Sequence, residues 1–326
     1  MSGFVTVGEL ARHLHCEFLG DGEKKIFGIA LPSDSTDDTL TYISPHRIDT
    51  ISDLKAGAVL TRASIGLPLH RNYIVTRHDP YERLADTIQF LIDCGVYDCI
   101  YNSKPNIPVS CTIGEFVSIG NNSCIGDNTV VAPGVVIEPN VKIGSNCIIG
   151  PNSVIGKNTL IGDNVVIGAC CTIGTENFEY LQTPVKWVKI PVVGNVHIGS
   201  NVRIGGNVVI EKGTIGTTRI GNDCQIDNLV QIGHEAVVGE NCHIVACVAL
   251  AGWAEIGNHV AVYGQAAVSN HVKVGNNSVL LARSGVDKDV KEESIVSGFP
   301  AQDHQNELRF QAYLRKIFRI HKKGLE

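Results

Sequence analysis

Two histidines and one glycine have types and spacing that point to chemistry. Gly252 follows His234 by 18 residues, and His271 follows it by 37. In a chain that repeats every 18 residues, Gly252 would lie one coil above His234, with His271 near the same corner about 10 Å along the stack. A neutral imidazole can take a proton from an amine or hydroxyl that attacks an acyl carbonyl, and a glycine N–H can stabilise the resulting oxyanion. These three residues therefore predict acyl transfer with His234 as general base.

Other kinds of site are not favoured by the same residues. No serine or cysteine is paired with His234 in a nucleophile motif, so direct transfer is expected rather than an acyl-enzyme. His234 and His271 are two coils apart and no third ligand has a suitable phase, so no metal site is predicted. The eleven cysteines form no CxxC pair, and we expect free thiols, several of them facing inward.

A six-residue period supplies the frame for these residues. Aliphatic side chains recur in steps of six from Ile113 to Ile173, resume at Ile198, slip by four residues after Ile210, and run again from Ile220 to Val286. Period six is neither a helical pattern nor simple strand alternation. It predicts a mainly β architecture in which three hexapeptides close one triangular coil of a parallel β-helix.

The remaining segments predict two further parts and one insertion. Residues 1–100 lack the period and predict a small α/β domain, 101–300 are the β-helix, and 301–326 are a helical tail capped by Asp303. The repeat is interrupted at 174–197, a segment that carries Phe178, Tyr180 and Lys189. Rings and a cation beside a regular wall suit an apolar or phosphorylated ligand, and a flap that pins neighbouring subunits remains an alternative.

Composition excludes several classes of partner. Only 6% of the residues are aromatic and 18% charged, while the net charge is −6. An acidic balance does not favour nucleic-acid binding. The N-terminus does not resemble a signal peptide, and no apolar stretch approaches the length of a transmembrane segment, so neither is predicted.

The order of motifs resembles a known enzyme family over nearly the whole chain. FLGDGEKKIFGIA and LTYIS precede the repeat, NFEY and WVKIP lie in the interruption, and IDNLVQIGH, ALAG, YGQAAVSNHVKVG and SGFP follow. This arrangement is similar to that of the UDP-3-O-(3-hydroxyacyl)glucosamine N-acyltransferases of lipid A biosynthesis. The IDN-V-QI-H and Gln-x-x-x-x-x-His segments are the specific part, since IG repeats occur in all hexapeptide acyltransferases.

The resemblance implies a function and an assembly. It implies a left-handed β-helix, a homotrimer with sites in the clefts between adjacent β-helices, and a cytoplasmic location in a Gram-negative bacterium. The reaction would move a 3-hydroxyacyl group from the phosphopantetheine of acyl carrier protein to the 2-amino group of UDP-3-O-acylglucosamine, with no other cofactor. The basic C-terminal region would meet the acidic carrier protein.

The resemblance also implies roles for individual residues. His234 would be the base, His271 a second active-site histidine and Gly252 the oxyanion donor. Tyr42 would stack on uracil in a uridine-binding N-terminal domain. The remaining expected substrate-binding residues are Phe178, Tyr180, Lys189, Asp227, Asn228 and Gln265.

The chain departs from the family pattern at a few positions. Glu235 stands where an asparagine usually follows the base, Glu176-Asn177-Phe178 replaces DGF, and no second aromatic follows Tyr42 in ISPHRID. The identity of the UDP-amino sugar therefore stays open. Two alternatives also remain: an acetyl-CoA-dependent N- or O-acyltransferase for surface polysaccharide, and a non-catalytic trimeric scaffold that binds nucleotide sugars.

Overall fold

The six-residue period is realised as a three-sided parallel β-helix. The structure is a computed structural model that describes residues 3–43, 54–62, 67–68, 70–97 and 103–323, with side chains described to residue 318. Most strands pair in parallel with the strand 18 residues further on, as Val130 does with Ile148. The step is 37 residues from Ile161 to Ile198 and 22 from Ile198 to Ile220, where the period is broken. The predicted hexapeptide β-helix is confirmed.

Three sheets, here PB1, PB2 and PB3, form the sides of the coil. In the described residues PB1 has eleven strands, PB2 nine and PB3 eight. The strands of PB1 are Thr112–Ile113, Val130–Val131, Ile148–Ile149, Val166–Ile167, Arg203–Ile204, Gln225–Ile226, His243–Ile244, Ala261–Val262, Val279–Leu280, Ile295–Ser297 and Gln302–Asp303. Those of PB2 are Ser118–Ile119, Val136–Ile137, Val154–Ile155, Thr172–Thr175, Val209–Glu211, Gln231–Ile232, Ala249–Leu250, Ala267–Val268 and Gly285–Val286. Those of PB3 are Cys124–Ile125, Lys142–Ile143, Leu160–Ile161, Asn195–Ile198, Thr217–Ile220, Val237–Val238, Glu255–Ile256 and Lys273–Val274.

The core of the β-helix is a stack of aliphatic layers. The second residue of nearly every strand points inward, and Ile149, Ile210 and Ile232 have no exposed surface. Cysteines fill smaller inward positions: Cys147 and Cys171 are buried, and burial raises the pKa of both thiols. All cysteines in the described residues are free, as predicted.

The corners between sheets are held in the left-handed backbone region. Asparagine occupies many of these positions, among them Asn122, Asn140 and Asn158, with φ near +60°. Asparagine tolerates this conformation better than most residues. Its side chain also donates up the stack, from Asn122 Nδ2 to Asn140 Oδ1 (3.0 Å) and from Asn140 Nδ2 to Asn158 Oδ1 (2.6 Å). The corners therefore carry a ladder of side-chain hydrogen bonds parallel to the sheets.

The chain divides into two compact units. One, the N-terminal unit, contains residues 1–100, 177–194 and 213–216, and the other, the β-helix unit, contains 101–176, 195–212 and 217–326. Most of the interruption and the four-residue slip therefore belong to the same unit as residues 1–100. They are bound together there, since the amides of Val193 and Gly194 both donate to Thr214 O.

The N-terminal unit is a small α/β structure, as predicted. A four-stranded sheet has the order Glu17–Leu19, Asn72–Thr76, Ala58–Arg62, Leu40–Ile43. Val5–Thr6 pairs with Lys25–Ile26, and Tyr180–Gln182 forms an antiparallel hairpin with Trp187–Lys189. Helix α1 spans Val7–His13 and α2 spans Leu84–Asp93, with 3₁₀ turns at Pro32–Asp34 and Pro80–Arg83.

Local capping explains where the helices begin. Thr6 and Glu9 form a capping box at α1, and the Asp79 carboxylate accepts from the Tyr81 amide before α2. The C-terminal helix α3, His304–Lys323, begins where Asp303 Oδ1 accepts from the Asn306 amide (3.1 Å). Within the described part of the chain, no helix has both the length and the apolar character that a membrane span requires.

Candidate active site

His234 lies at a corner of the β-helix between PB2 and PB3. Its side chain is 13% exposed, and Nδ1 is 2.6 Å from Glu235 Oε2. The backbone amide of His234 donates to Glu211 Oε2 (3.2 Å), and Gln231 Nε2 donates to Glu211 Oε1 (3.3 Å). Carboxylates therefore contact both the ring and the backbone of His234. Nδ1 therefore faces a carboxylate, while Nε2 lies on the side of the ring that faces Gly252.

Gly252 lies one coil above His234 and against its ring. A Cβ built on Gly252 would lie 2.5 Å from His234 Nε2, closer than real Cβ atoms approach other atoms. Glycine is therefore required for the ring to occupy this position. Among the described residues, the Gly252 amide has no hydrogen-bond acceptor. A backbone amide donor in this position, beside an imidazole, can serve as an oxyanion site.

His271 lies in the next coil but in a neighbouring column of the corner. Its amide donates to Gly252 O (3.3 Å), and it shares the left-handed conformation of Glu235 and Trp253. The Trp253 and His271 rings are stacked, with centroids 5.8 Å apart and an angle of 17° between their planes. His271 is at the same PB2–PB3 corner as His234, and the extra residue in the 37-residue step aligns it with Glu235 rather than with His234.

An apolar groove of about 540 Å³ runs along PB2 beside this corner. Its floor consists of the small outward residues Ala249, Ala267 and Gly285, which are adjacent on the sheet. Asn270 is at the corner side of the groove and Phe299 at its C-terminal end. The Phe299 ring lies directly over Gly285 and occupies the space of a missing side chain. The groove therefore has the shape and polarity for an extended hydrocarbon chain.

Three of the predicted substrate-binding residues lie on the other edge of PB2. Asp227, Asn228 and Gln265 are at corners between PB1 and PB2. Asp227 Oδ1 accepts from the Asn228 amide (2.8 Å), and Gln265 Oε1 accepts from Arg283 Nε (2.9 Å). Within one chain, these residues are separated from the His234 corner by the width of a sheet.

The aromatic residues predicted to hold the nucleotide sugar are in the N-terminal unit. Tyr42 is half-buried on the strand Leu40–Ile43, with its ring centroid 6.5 Å from that of Tyr81. Tyr81 Oη donates to Glu179 Oε1 (2.7 Å), and the Thr214 hydroxyl donates to the other oxygen of Glu179. Residues 44–53, which include all of the ISPHRID segment after Ile43, lie outside the described residues.

Phe178, Tyr180 and Lys189 form a second part of this unit. The rings of Phe178 and Tyr180 are 5.0 Å apart, and Lys189 Nζ lies 5.4 Å from the Tyr180 centroid. Lys189 Nζ also donates to Asn177 O (2.7 Å). Phe178 is 84% exposed, so its face is open to a ligand. The structure thus groups the three predicted residues in one cluster.

Comparisons with known proteins identify the family. A profile described as "Bacterial transferase hexapeptide (six repeats)" matches residues 125–157, 140–175 and 217–252. The UDP-3-O-acylglucosamine N-acyltransferase of Nitrosococcus oceani is 48% identical, with 99% of this chain and 95% of the relative covered. The corresponding protein of Paraburkholderia phymatum is 41% identical over 97% and 94%. This chain belongs to the UDP-3-O-acylglucosamine N-acyltransferase family.

A third relative, from Dechloromonas aromatica, carries the same name and is 43% identical over 72% of this chain and 69% of its own. The protein is therefore an N-acyltransferase of the hexapeptide type. In an N-acyltransferase an amine attacks an acyl carbonyl, and the amine must lose a proton while the carbonyl oxygen gains negative charge. His234 Nε2 and the Gly252 backbone lie beside each other and are the candidates for these two roles.

Three residues of the candidate site were missed by sequence reasoning. They are Glu211, which contacts the His234 amide, Trp253, which stacks on His271, and Phe299, which ends the groove. Trp253 could have been noticed from the sequence, because it stands at a corner position of the repeat. Corners in the left-handed conformation are commonly asparagine, and Trp253 occupies such a corner, as do Glu235 and His271. Asparagine is also replaced at corners away from this site, among them Phe116, Cys170 and Arg283, so the replacement does not by itself mark the site.

Proposed function

We propose that this N-acyltransferase moves a 3-hydroxyacyl group from acyl carrier protein to the 2-amino group of UDP-3-O-acylglucosamine, a step of lipid A biosynthesis. The observation that carries the proposal is the position of His234. Its Nε2 lies against Gly252, at the edge of an apolar groove that suits a long acyl chain. The names of the relatives that span nearly the whole chain support the choice of acceptor.

The proposed reaction is a direct transfer in two stages. The amine nitrogen attacks the thioester carbonyl carbon, His234 Nε2 takes the amine proton, and the Gly252 amide donates to the oxyanion. The C–S bond then breaks, the carbonyl reforms, and the imidazolium returns its proton to the leaving thiolate. The products are an amide and free carrier-protein thiol. No further cofactor is needed, because the thioester supplies the activated acyl group.

The groove supports a long-chain donor over acetyl-CoA. Each buried methylene contributes about 0.8 kcal/mol, so an extended apolar floor stabilises a long acyl chain far more than an acetyl group. Ala249 and Ala267 leave the floor open up to Gly285, where the Phe299 ring covers it. We propose that the acyl chain lies along this floor, with its carbonyl at the Gly252 corner. The basic residues of α3, among them Arg309, Arg315 and Lys316, would meet the acidic carrier protein.

The N-terminal unit is proposed to bind the nucleotide sugar. Tyr42 would stack on uracil, because a half-buried ring that is held by neighbours loses little freedom on binding. Phe178 and Tyr180 would pack on the sugar, and Lys189 would contact its phosphates. The Lys189 ammonium lies beside the Tyr180 ring, where a cation and an aromatic face are presented together.

A homotrimer is proposed from the separation of residues around PB2. Asp227, Asn228 and Gln265 lie at one edge of that sheet and His234 at the other, so a neighbouring copy is needed to combine them in one site. Outward residues Val130 and Ile148 are 38% and 48% exposed, and a neighbouring copy would cover such apolar surface. Co-expression of His234→Ala and Gln265→Ala chains tests this arrangement. Mixed oligomers regain activity if the site is shared, and stay inactive if each chain is self-sufficient.

The function is tested with a panel of donors and acceptors. The protein is incubated with UDP-3-O-acylglucosamine and other UDP-amino sugars, with 3-hydroxyacyl, unsubstituted acyl and acetyl donors on carrier protein or CoA, and products are identified by mass. The expected product is an amide from a carrier-linked 3-hydroxyacyl donor. Product from acetyl-CoA alone would replace the proposed donor, and binding of nucleotide sugar without any product would favour a scaffold.

The role of His234 is tested in the same assay. His234→Ala is expected to lower kcat by about 10²- to 10⁴-fold, because general-base catalysis contributes that much. His259→Ala is the matched control, since His259 is also at a coil corner and its ring nitrogen Nδ1 hydrogen bonds to Asn241 Nδ2 (2.9 Å), far from the candidate site. Full activity of His234→Ala would remove His234 from the mechanism.

A further inference from the structure

We propose that Glu235 is a positioning residue that fixes His234 as the general base of the reaction. The proposal rests on the function proposed above and adds a residue to it. Glu235 Oε2 is 2.6 Å from His234 Nδ1, within hydrogen-bond distance. The carboxylate accepts the Nδ1–H, so the lone pair of the neutral ring is placed on Nε2, the nitrogen against Gly252.

The backbone at Glu235 argues for a role beyond structure. Its φ is +51°, in the left-handed region that glutamate does not favour. Asn122, Asn140 and Asn158 occupy the same corner in other coils, where the asparagine side chain suits this conformation. Glutamate also occupies a left-handed corner at Glu293 (φ +58°), so what distinguishes Glu235 is that this conformation is combined with a contact to His234 Nδ1.

The burial of Glu235 points to the same role. Its side chain is 2% exposed, and a buried carboxylate is costly unless it is hydrogen-bonded or paired. His234 supplies that partner at Nδ1, and Glu211 accepts from the His234 backbone amide. When the ring takes the amine proton it becomes a cation, and the adjacent Glu235 carboxylate stabilises it. Glu235 thus acts on the orientation of the ring and on the charge that develops during transfer.

The kinetic test separates this role from a structural one. Glu235→Gln keeps the size of the side chain and removes its charge, and kcat is expected to fall about 10- to 100-fold with KM for both substrates within about twofold. Glu235→Asp keeps the charge, and its kcat is expected to be at least about tenfold higher than that of Glu235→Gln. In a His234→Ala background, Glu235→Gln is expected to have no further effect on kcat, since the proposed catalytic effect of Glu235 is exerted through the ring.

Controls exclude loss of folding. Glu235→Asn places the residue common at these corners, so its thermal unfolding midpoint is expected to match or exceed that of the wild-type protein while its kcat falls as in Glu235→Gln. A kcat for Glu235→Gln within twofold of wild type would overturn the proposal. An equal loss of kcat on Glu235→Gln in the wild-type and His234→Ala backgrounds would also overturn it.

A chemical readout distinguishes this proposal from the proposed function. Diethyl pyrocarbonate carbethoxylates neutral imidazole nitrogens, and peptide mass spectrometry gives the rate at His234 without any acyl transfer. We expect the rate to fall at least about threefold in Glu235→Gln, because a carboxylate at Nδ1 makes Nε2 more nucleophilic. If no donor yields product, the proposed function fails while this measurement still decides the role of Glu235. An unchanged rate would reject Glu235 as a positioning residue, whatever the donor.

Discussion

The imidazole of His234 rests on Gly252 with no room for a side chain between them, since a Cβ on Gly252 would be 2.5 Å from His234 Nε2. The two residues are one coil apart, so the 18-residue repeat itself brings the base and the candidate oxyanion donor together. The same contact couples the two proposed roles, that of His234 as general base and that of Gly252 as oxyanion donor. Any atom added at Gly252 displaces the ring as well as crowding the reacting carbonyl.

Gly252→Ala is therefore expected to lower kcat by about 100-fold, which is typical for a catalytic group misplaced by about 1 Å. The steady-state rate with the best acyl donor is the measurement. Gly264→Ala is the matched control, because the nearest heavy atom to its added Cβ is Ala246 O at 3.4 Å, an ordinary contact. Near-normal kcat in Gly252→Ala would show that the ring does not need its observed position.

The groove along PB2 makes a prediction about donor length. Ala267→Leu adds a branched side chain to the middle of the floor, so transfer from long-chain donors is expected to fall at least about tenfold while transfer from short-chain donors changes little. Ala261→Leu is the control, since Ala261 has the equivalent outward position on PB1. Equal losses for long and short donors would place the acyl chain elsewhere.

Most of the β-helix followed from the sequence because inward positions are fixed by the period. Ile149 and Ile232 fall on the six-residue series and are fully buried. The contact between His234 and Gly252 followed from the same arithmetic. The exact alignment of His271 depends on the one residue by which the 37-residue step exceeds two coils. That residue aligns His271 with Glu235 instead of His234.

The packing of the irregular segments did not follow from the sequence. A break in a repeat shows where the chain leaves the coil and carries no information on what it then contacts. The interruption and the slip at 213–216 belong to one unit because Thr214 O accepts from the amides of Val193 and Gly194, a contact between distant positions. The stack of Trp253 on His271, by contrast, is one 18-residue step apart and follows from the period once Trp253 is considered.

The asparagine ladder predicts a measurable contribution to stability. Asn140 accepts from Asn122 and donates to Asn158 with φ at +61°. Asn140→Ala loses both hydrogen bonds and places an unsuitable residue in the left-handed region, so a loss of about 2–3 kcal/mol in unfolding free energy is expected. Asn140→Gly also loses the hydrogen bonds, but glycine tolerates the left-handed conformation. Its loss of unfolding free energy is therefore expected to be about 1 kcal/mol smaller than that of Asn140→Ala. Urea unfolding of both variants checks the difference, and equal losses would show that the conformation contributes nothing.

Tyr97 predicts a loss of stability at alkaline pH. Burial raises the pKa of Tyr97 to about 12, although the Ile29 amide donates to its hydroxyl (2.9 Å) and opposes the shift. In the unfolded chain a tyrosine has a pKa of about 10. The folded state therefore holds this proton more tightly, and the resulting stability is complete below pH 10 and is lost as the pH rises towards 12. The loss amounts to about 2–3 kcal/mol over that interval.

Urea unfolding between pH 8 and pH 11.5 measures this effect in wild-type, Tyr97→Phe and Tyr263→Phe proteins. Tyr97→Phe is expected to be less stable than wild type at pH 8 by about 1–3 kcal/mol, because the Ile29 amide loses its acceptor. Its stability should then fall less steeply with pH, so the two curves converge. Tyr263 is 44% exposed, and Tyr263→Phe should follow the wild-type slope. If the wild-type and Tyr97→Phe curves stay parallel to pH 11.5, ionisation of Tyr97 does not oppose folding.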